Sequence, residues 1–308
     1  MRVVRPIFPV LALLAWGCSS ASPAPPPPAR PAASAPAAAP RSFTVEVIGS
    51  GSPMILIPGL ACSGEVWRGA VEHFRATHQL HVVTLAGFAG QPAIGAPFLD
   101  RVRRDLIQYI RDQRLVRPVV VGHSLGGFLG FWIAATAPEL VGGVIAVDGV
   151  PFLSALMDPT ATAATSQAIA GQIRDQMAAQ TREQFAAQNR RALTGMITAP
   201  ADVDRVAATS GRSDPAAVGL AVYEIMTTDL RPSVSAIRSP TLLVAAAGQA
   251  ADPRERDQIA ARYEQQIASI PVHRVAVAAR ARHFVMLDDP AFLFGQMDAF
   301  LRDPTASR

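Results

Sequence analysis

The chain has 308 residues, of which 50% are hydrophobic and 17% charged, the balance of a globular protein with enough apolar material for a sizeable core. This excludes a wholly disordered chain and a disulfide-stapled miniprotein, and the two cysteines, Cys18 and Cys62, exclude a cysteine-rich metal site. The formal charge of +4 rests on 28 basic residues that are all arginine and scattered, so no clustered basic face points to nucleic acid.

At the N-terminus Arg2 and Arg5 precede a short apolar run at 6–17, PIFPVLALLAWG. The run is too short to cross a bilayer core as a helix, which needs about 20 residues, and reads as an export signal. Cys18 follows the small residue Gly17 and resembles the lipidated cysteine of a bacterial lipoprotein, which makes 1–17 the signal peptide. Ordinary cleavage near Ser20 and Ala21 is the alternative. Residues 21–40 hold nine alanines and eight prolines and have no apolar periodicity. They read as an extended tether over 18–41. The expectation is an exported protein, periplasmic or anchored at the outer membrane through Cys18. Its folded domain would cover 42–308.

Within that domain strands and helices alternate. Phe43–Ile48 alternates as a strand, and Met54–Ile57 is a buried-strand run ending at Pro58-Gly59. Glu65–Thr77 has helical spacing, Leu80–Leu85 is a strand, and Leu99–Leu115 is a helix with its arginines outside. Pro118–Val121, Leu125–Thr136 and Gly143–Val147 read as strand, helix and strand. The segment at about 151–238 reads as inserted helices, with Ile169, Ile173 and Met177 on one stripe and Val218, Val222, Ile225 and Met226 on another. Thr241–Ala245, Arg254–Ile267, Val272–Val277 and Pro290–Leu301 then resume strand, helix, strand and helix. The alternation implies an α/β fold with a mostly parallel sheet covered on both faces.

Three places carry candidate chemistry. Gly122-His123-Ser124-Leu125-Gly126 is a G-x-S-x-G motif between a strand and a helix. Such a turn strains the serine backbone, lifts its hydroxyl above the sheet, and puts the Leu125 N–H where an oxyanion would form. A serine needs a base, and of the six histidines only His283 lies in a loop after a late strand. His73, His78 and His81 sit on or beside an early helix and strand, His123 is inside the motif, and His273 is inside a strand. The acid should fall between Ser124 and His283 in the chain. Asp252, in the loop after Thr241–Ala247, is the first candidate, and Asp148, at the end of the preceding strand, is its rival. The backbone N–H of Leu60, after Gly59, is the natural second oxyanion donor. Cys62 has no partner that would activate it and reads as a packing residue.

These motifs resemble the α/β-hydrolase superfamily, in the branch with a helical cap after the sixth strand. IPGLACSGEVW resembles its oxyanion loop, commonly H-G-x-x-x-S-x-x-W. VVVGHSLGG resembles its nucleophile elbow, DLRPSVSAIRSPTLLVAAAG the approach to its acid strand, and RHFVMLDDP its histidine loop. Pro58 stands where His is usual, Asp252 lies one residue beyond the common G-x-x-D, and Arg282 replaces the Gly before the histidine. The resemblance implies an eight-stranded sheet, the triad Ser124, Asp252 and His283, oxyanion donors at Leu60 and Leu125, and no cofactor or metal.

The leading functional expectation is a serine hydrolase that cleaves a carboxylic ester, or a related acyl bond, of a small and largely apolar substrate through an acyl-enzyme. Lactone, amide or C–C bond hydrolysis and perhydrolysis use the same groups, and a non-catalytic binding protein on the same fold is the other class. The partner implied is a small-molecule ester. The cap would set substrate choice, with Phe152 and Phe185 as candidate pocket residues.

Overall fold

The computed structural model describes residues 42–302. The export signal, Cys18 and the tether lie outside the described residues. Strands β1 (Phe43–Ile48), β2 (Ser52–Ile57), β3 (His78–Leu85), β4 (Val119–His123), β5 (Gly143–Val147), β6 (Thr241–Ala246) and β7 (His273–Ala278) form one sheet in the order β1-β3-β2-β4-β5-β6-β7. Only β1 is antiparallel to its neighbour.

The burial of the strands follows from that order. The inner strands β4 and β5 read Val-Val-Val-Gly-His and Gly-Val-Ile-Ala-Val and are buried almost throughout, as a parallel strand covered on both faces requires. Edge strand β1 alternates with solvent. On one face lie α2 (Phe98–Asp112), α3 (Leu125–Thr136) and α9 (Pro253–Ile267), through Val102, Leu106, Phe128, Leu129, Tyr263 and Ile267. On the other lie α1 (Arg68–Phe74) and α11 (Pro290–Arg302), through Ala70, Phe74, Leu293, Met297 and Phe300.

All seven strands correspond to apolar runs legible in the sequence. The eighth strand implied by the family resemblance is not among the described residues, where the chain enters the sheet at β1. Among the described residues the helical insert therefore follows the fifth strand, where the resemblance implies the sixth. The single helix expected over Glu65–Thr77 is a 3₁₀ turn, Gly64–Trp67, continued by the shorter α1.

The insert holds α4 (Leu153–Met157), α5 (Ala163–Ala178), α6 (Arg182–Met196), α7 (Pro200–Ser210) and α8 (Pro215–Thr227). Helices α5 and α8 pack against each other, and α6 packs against α7. The expected stripe on α5 is only partly buried: Ile169 is 51% exposed, while Ile173 and Met177 pack inward.

Polar bonds fasten this cap to the body. Glu224 of α8 accepts from the Phe98 and Leu99 N–H groups at the start of α2 (2.8 and 2.6 Å), satisfying donors that a helix N-terminus leaves free. Ser213 donates to the Ala61 carbonyl (2.9 Å) and accepts from the Ala89 N–H (2.8 Å).

Candidate active site

Ser124 joins β4 to α3 with φ 52° and ψ −116°, a left-handed backbone that a non-glycine residue adopts at a cost of order 1–3 kcal/mol. The flanking glycines have a steric cause. A Cβ on Gly122 would lie 2.1 Å from the Gly126 backbone, and one on Gly126 would lie 2.2 Å from the Ile57 carbonyl oxygen. Only bare backbones let the turn close this tightly.

His283 follows β7 in a loop ahead of the short α10 (Val285–Asp288). Its Nδ1 lies 2.6 Å from Asp148 Oδ2. Asp148 terminates β5, also with positive φ (49°), and its side chain is only 9% exposed. Its other oxygen, Oδ1, accepts from the Ala246 N–H (2.8 Å) and the Tyr263 hydroxyl (2.7 Å). Burial pushes the Asp148 carboxyl up, but the hydrogen bonds and charge of His283, with the Ala246 and Tyr263 bonds, outweigh it and hold the group below the usual carboxylate range. Burial and the Asp148 charge push the Tyr263 hydroxyl well above its usual value, so Tyr263 remains a donor. An ionised carboxylate only accepts, so the His283 proton sits on Nδ1 and Nε2 carries the free lone pair.

The expected acid, Asp252, is elsewhere. It is exposed, and its Oδ1 accepts from the Glu255 N–H (2.9 Å) as the N-cap of α9. The assignment of Asp252 as the partner of His283 is therefore corrected to Asp148. The physical reason is local: Asp252-Pro253-Arg254-Glu255 is a helix start, with a capping carboxylate, proline at the first helical position and an acid in the first turn.

Ser124, His283, Leu60 and His123 share a cavity of about 220 Å³ with Met177, Phe185, Asn189, Leu193, Met196 and Val218 of the cap. Phe185 thus lines the cavity as expected. Phe152 does not: it is fully buried beneath the Arg231 guanidinium, which sits 4.8 Å from the ring centroid. Leu125 is the first residue of α3, so its N–H is among those a helix leaves unpaired at its start. Gly59 brings its loop close to the elbow, where a Cβ would lie 2.7 Å from His123 Nδ1 and 3.3 Å from the Ser124 Cβ. Cys62 is buried, and burial pushes its thiol up to about 12, which leaves no thiolate for chemistry.

Two groups at the site carry roles that the sequence did not single out. His123 Nε2 donates to the His283 carbonyl (3.0 Å) and so supports the histidine loop from below. Burial, with the nearby His283, depresses the His123 pKa to about 3, so it stays neutral. Tyr263 is the second; its only sequence signal is an aromatic on the inner stripe of α9, which core packing explains equally well.

The sheet order, the strained serine after β4 and the histidine after β7 define an α/β-hydrolase fold carrying a Ser-His-Asp constellation. The chain matches the alpha/beta hydrolase family over residues 54–296 and belongs to that family. It is accordingly a hydrolase. It is similar to the pimeloyl-[acyl-carrier protein] methyl ester esterase of Aliivibrio salmonicida, with 26% identity over 62% of this chain and 72% of the relative. The enzyme of the same name from Aeromonas salmonicida is 30% identical over 43% of this chain and 54% of its own length, so the match spans only about half of that protein. Among solved structures, the enol-lactonase of Burkholderia xenovorans superposes with a TM-score of 0.68 at 17% identity, covering 85% of this chain and 96% of that one, a likeness of fold.

Proposed function

We propose that this hydrolase cleaves carboxylic esters of small, largely apolar acids through an acyl-enzyme on Ser124, with His283 as base and Asp148 as its partner. The observation that carries the reading is the 2.6 Å His283–Asp148 bond ending in the same cavity as the strained Ser124. The Ser124 Oγ attacks the ester carbonyl while His283 Nε2 takes its proton. The N–H groups of Leu60 and Leu125 receive the developing oxyanion. The tetrahedral intermediate collapses, and His283 returns the proton to the departing alcohol. Water, deprotonated by the same nitrogen, then attacks the acyl-enzyme and frees the acid and Ser124. Asp148 holds the tautomer that leaves Nε2 bare and stabilises the imidazolium formed in each half.

The cavity supports the substrate class. At about 220 Å³ it is small for a ligand cavity, and Met177, Phe185, Leu193, Met196 and Val218 present hydrocarbon to it. Walls of this kind exclude water and strengthen the oxyanion bonds. The methyl ester esterase names of the relatives agree with ester cleavage.

Labelling with a fluorophosphonate tests the reading. The adduct is expected on the Ser124 peptide, and Ser124→Ala is expected to lose it, with kcat for short-chain nitrophenyl esters falling by about a millionfold. A Ser124→Ala chain that still labels and turns over would reject it.

The proposal extends to location. The charged start, the apolar run, Gly17-Cys18 and the Pro/Ala tether support an exported enzyme anchored by lipid on Cys18. Mass spectrometry of the mature N-terminus is expected to show diacylglycerol on Cys18. An unmodified start near Ala21 would instead mark a free exported enzyme.

A further inference from the structure

Helix α6 supplies much of the cap wall through Phe185, Asn189, Leu193 and Met196. A helix leaves its last carbonyls without intrahelical donors. At the end of α6 the body supplies them, and most of them come from the histidine loop. The Arg282 guanidinium Nη1 donates to the Thr194 carbonyl (3.0 Å) and reaches the Ile197 carbonyl (3.4 Å). The Phe284 N–H donates to the Met196 carbonyl (3.3 Å). Gln249, from the loop after β6, donates its side-chain amide to the Gly195 carbonyl (3.2 Å). Asp288 closes the set, accepting from the Arg282 N–H (2.8 Å) and from the N–H and hydroxyl of Thr198, just past the helix (both 2.9 Å).

The residues on either side of His283 in the chain therefore hold the end of the helix that walls its cavity. Arg282 is the cation of the arrangement. A cation at a helix C-terminus meets the negative end of the helix dipole, and its Nη1 is shared between two carbonyls where a Gly would hold none. From this geometry we infer that Arg282 is a positioning and specificity-determining residue: it fixes the end of α6 against the His283 loop and thereby sets the longest acyl chain that can be delivered to Ser124. The inference rests on the proposed ester hydrolysis and names a determinant of its substrate range. Met196, whose side chain lines the cavity and whose carbonyl is held by Phe284, is where the constraint meets the acyl group. With the clamp intact, a longer chain must displace α6 and its whole set of carbonyl bonds. With the clamp loosened, α6 yields at lower cost.

The test compares kcat/KM for acetyl and octanoyl nitrophenyl esters in the full chain, in Arg282→Met, which keeps the aliphatic stem but removes the donors, and in Arg282→Lys. The octanoyl-to-acetyl ratio is expected to rise about tenfold in Arg282→Met, the scale of losing one charge-assisted hydrogen bond. Arg282→Lys is expected to recover part of that shift. The change should appear mainly in KM for the long ester, which a general loss of folded protein would not produce. A ratio within twofold of wild type in a folded Arg282→Met chain, or an equal fall in kcat for both esters, would overturn the assignment. Should Arg282→Met fail to fold, Gln249→Ala decides: Gln249 is exposed and props the same helix end from a different loop. Its ratio should move in the same direction by about threefold, the loss of one ordinary hydrogen bond, and an unmoved ratio would overturn the inference. Fluorophosphonate labelling of the wild-type chain is read alongside. Failure to label would reject the proposed function itself, whereas labelling with an unmoved ratio rejects only the role of Arg282.

Discussion

Two aspartates lie in the loops that follow adjacent strands of one sheet, both between Ser124 and His283 in the chain, yet they have opposite surroundings. Asp148, after β5, is buried, accepts three hydrogen bonds and faces the imidazole. Asp252, after β6, is exposed and caps a helix. Chain order admits both, and what separates them is where each loop turns. After β5 the backbone reverses at once through Asp148 with positive φ and Gly149, which packs under the elbow; a Cβ there would lie 2.4 Å from the Ser124 carbonyl oxygen. After β6 the chain runs outward to start α9. That helix returns a different residue, Tyr263, to the same carboxylate.

The contrast has a largest consequence in turnover. Asp148→Asn should lower kcat by about ten-thousandfold, because an amide in that place favours the wrong imidazole tautomer. Asp252→Asn should leave kcat within about twofold, since Asn caps a helix as well as Asp does. Steady-state kinetics on nitrophenyl acetate checks both, and the reverse pattern would restore Asp252 as the acid.

A smaller consequence is acid sensitivity. The Asp148 carboxyl is held below its ordinary value of 3.8 in the folded protein. Its stabilising contribution is therefore complete above that value and is lost as the pH falls through the lower folded-state value. Urea unfolding at a series of pH values from neutral to 3 should show this acid-side decline flattened in Asp148→Asn. The smallest effect belongs to the cap itself. Asp252→Ala should cost about 1 kcal/mol of stability with no change in kcat, as read by thermal melts and the same kinetic assay.

The sequence carried the frame well. Seven apolar runs became seven strands: the inner parallel strands, buried on both faces, leave near-continuous Val, Ile and Leu in the chain, and edge strand β1 leaves an alternation. G-x-S-x-G carried the elbow because its glycines are required where backbones meet. His283 was legible by position alone. The acid was less so: Asp148 and Asp252 differ in which way the next loop departs, and that depends on packing between distant segments. Two local signals spoke against Asp252: the helix-start pattern around it and its place one residue beyond the common G-x-x-D. Phe152 and Phe185 looked alike in a helical insert, but Phe152 lies under Arg231 and Phe185 lines the cavity. Neither Tyr263 on Asp148 nor Arg282 on α6 leaves a local pattern, since each bond joins residues far apart in the chain.

The most direct test of the central claim, that Asp148 and not Asp252 holds His283, is the proton nuclear magnetic resonance signal of the imidazole Nδ1–H in protein labelled with ¹⁵N-histidine. A short bond to a buried carboxylate shifts this proton far downfield, and His283→Gln identifies the signal by removing it. The account predicts that the signal persists in Asp252→Asn and disappears from its downfield position in Asp148→Asn. A signal that survives in Asp148→Asn and is lost in Asp252→Asn would contradict it.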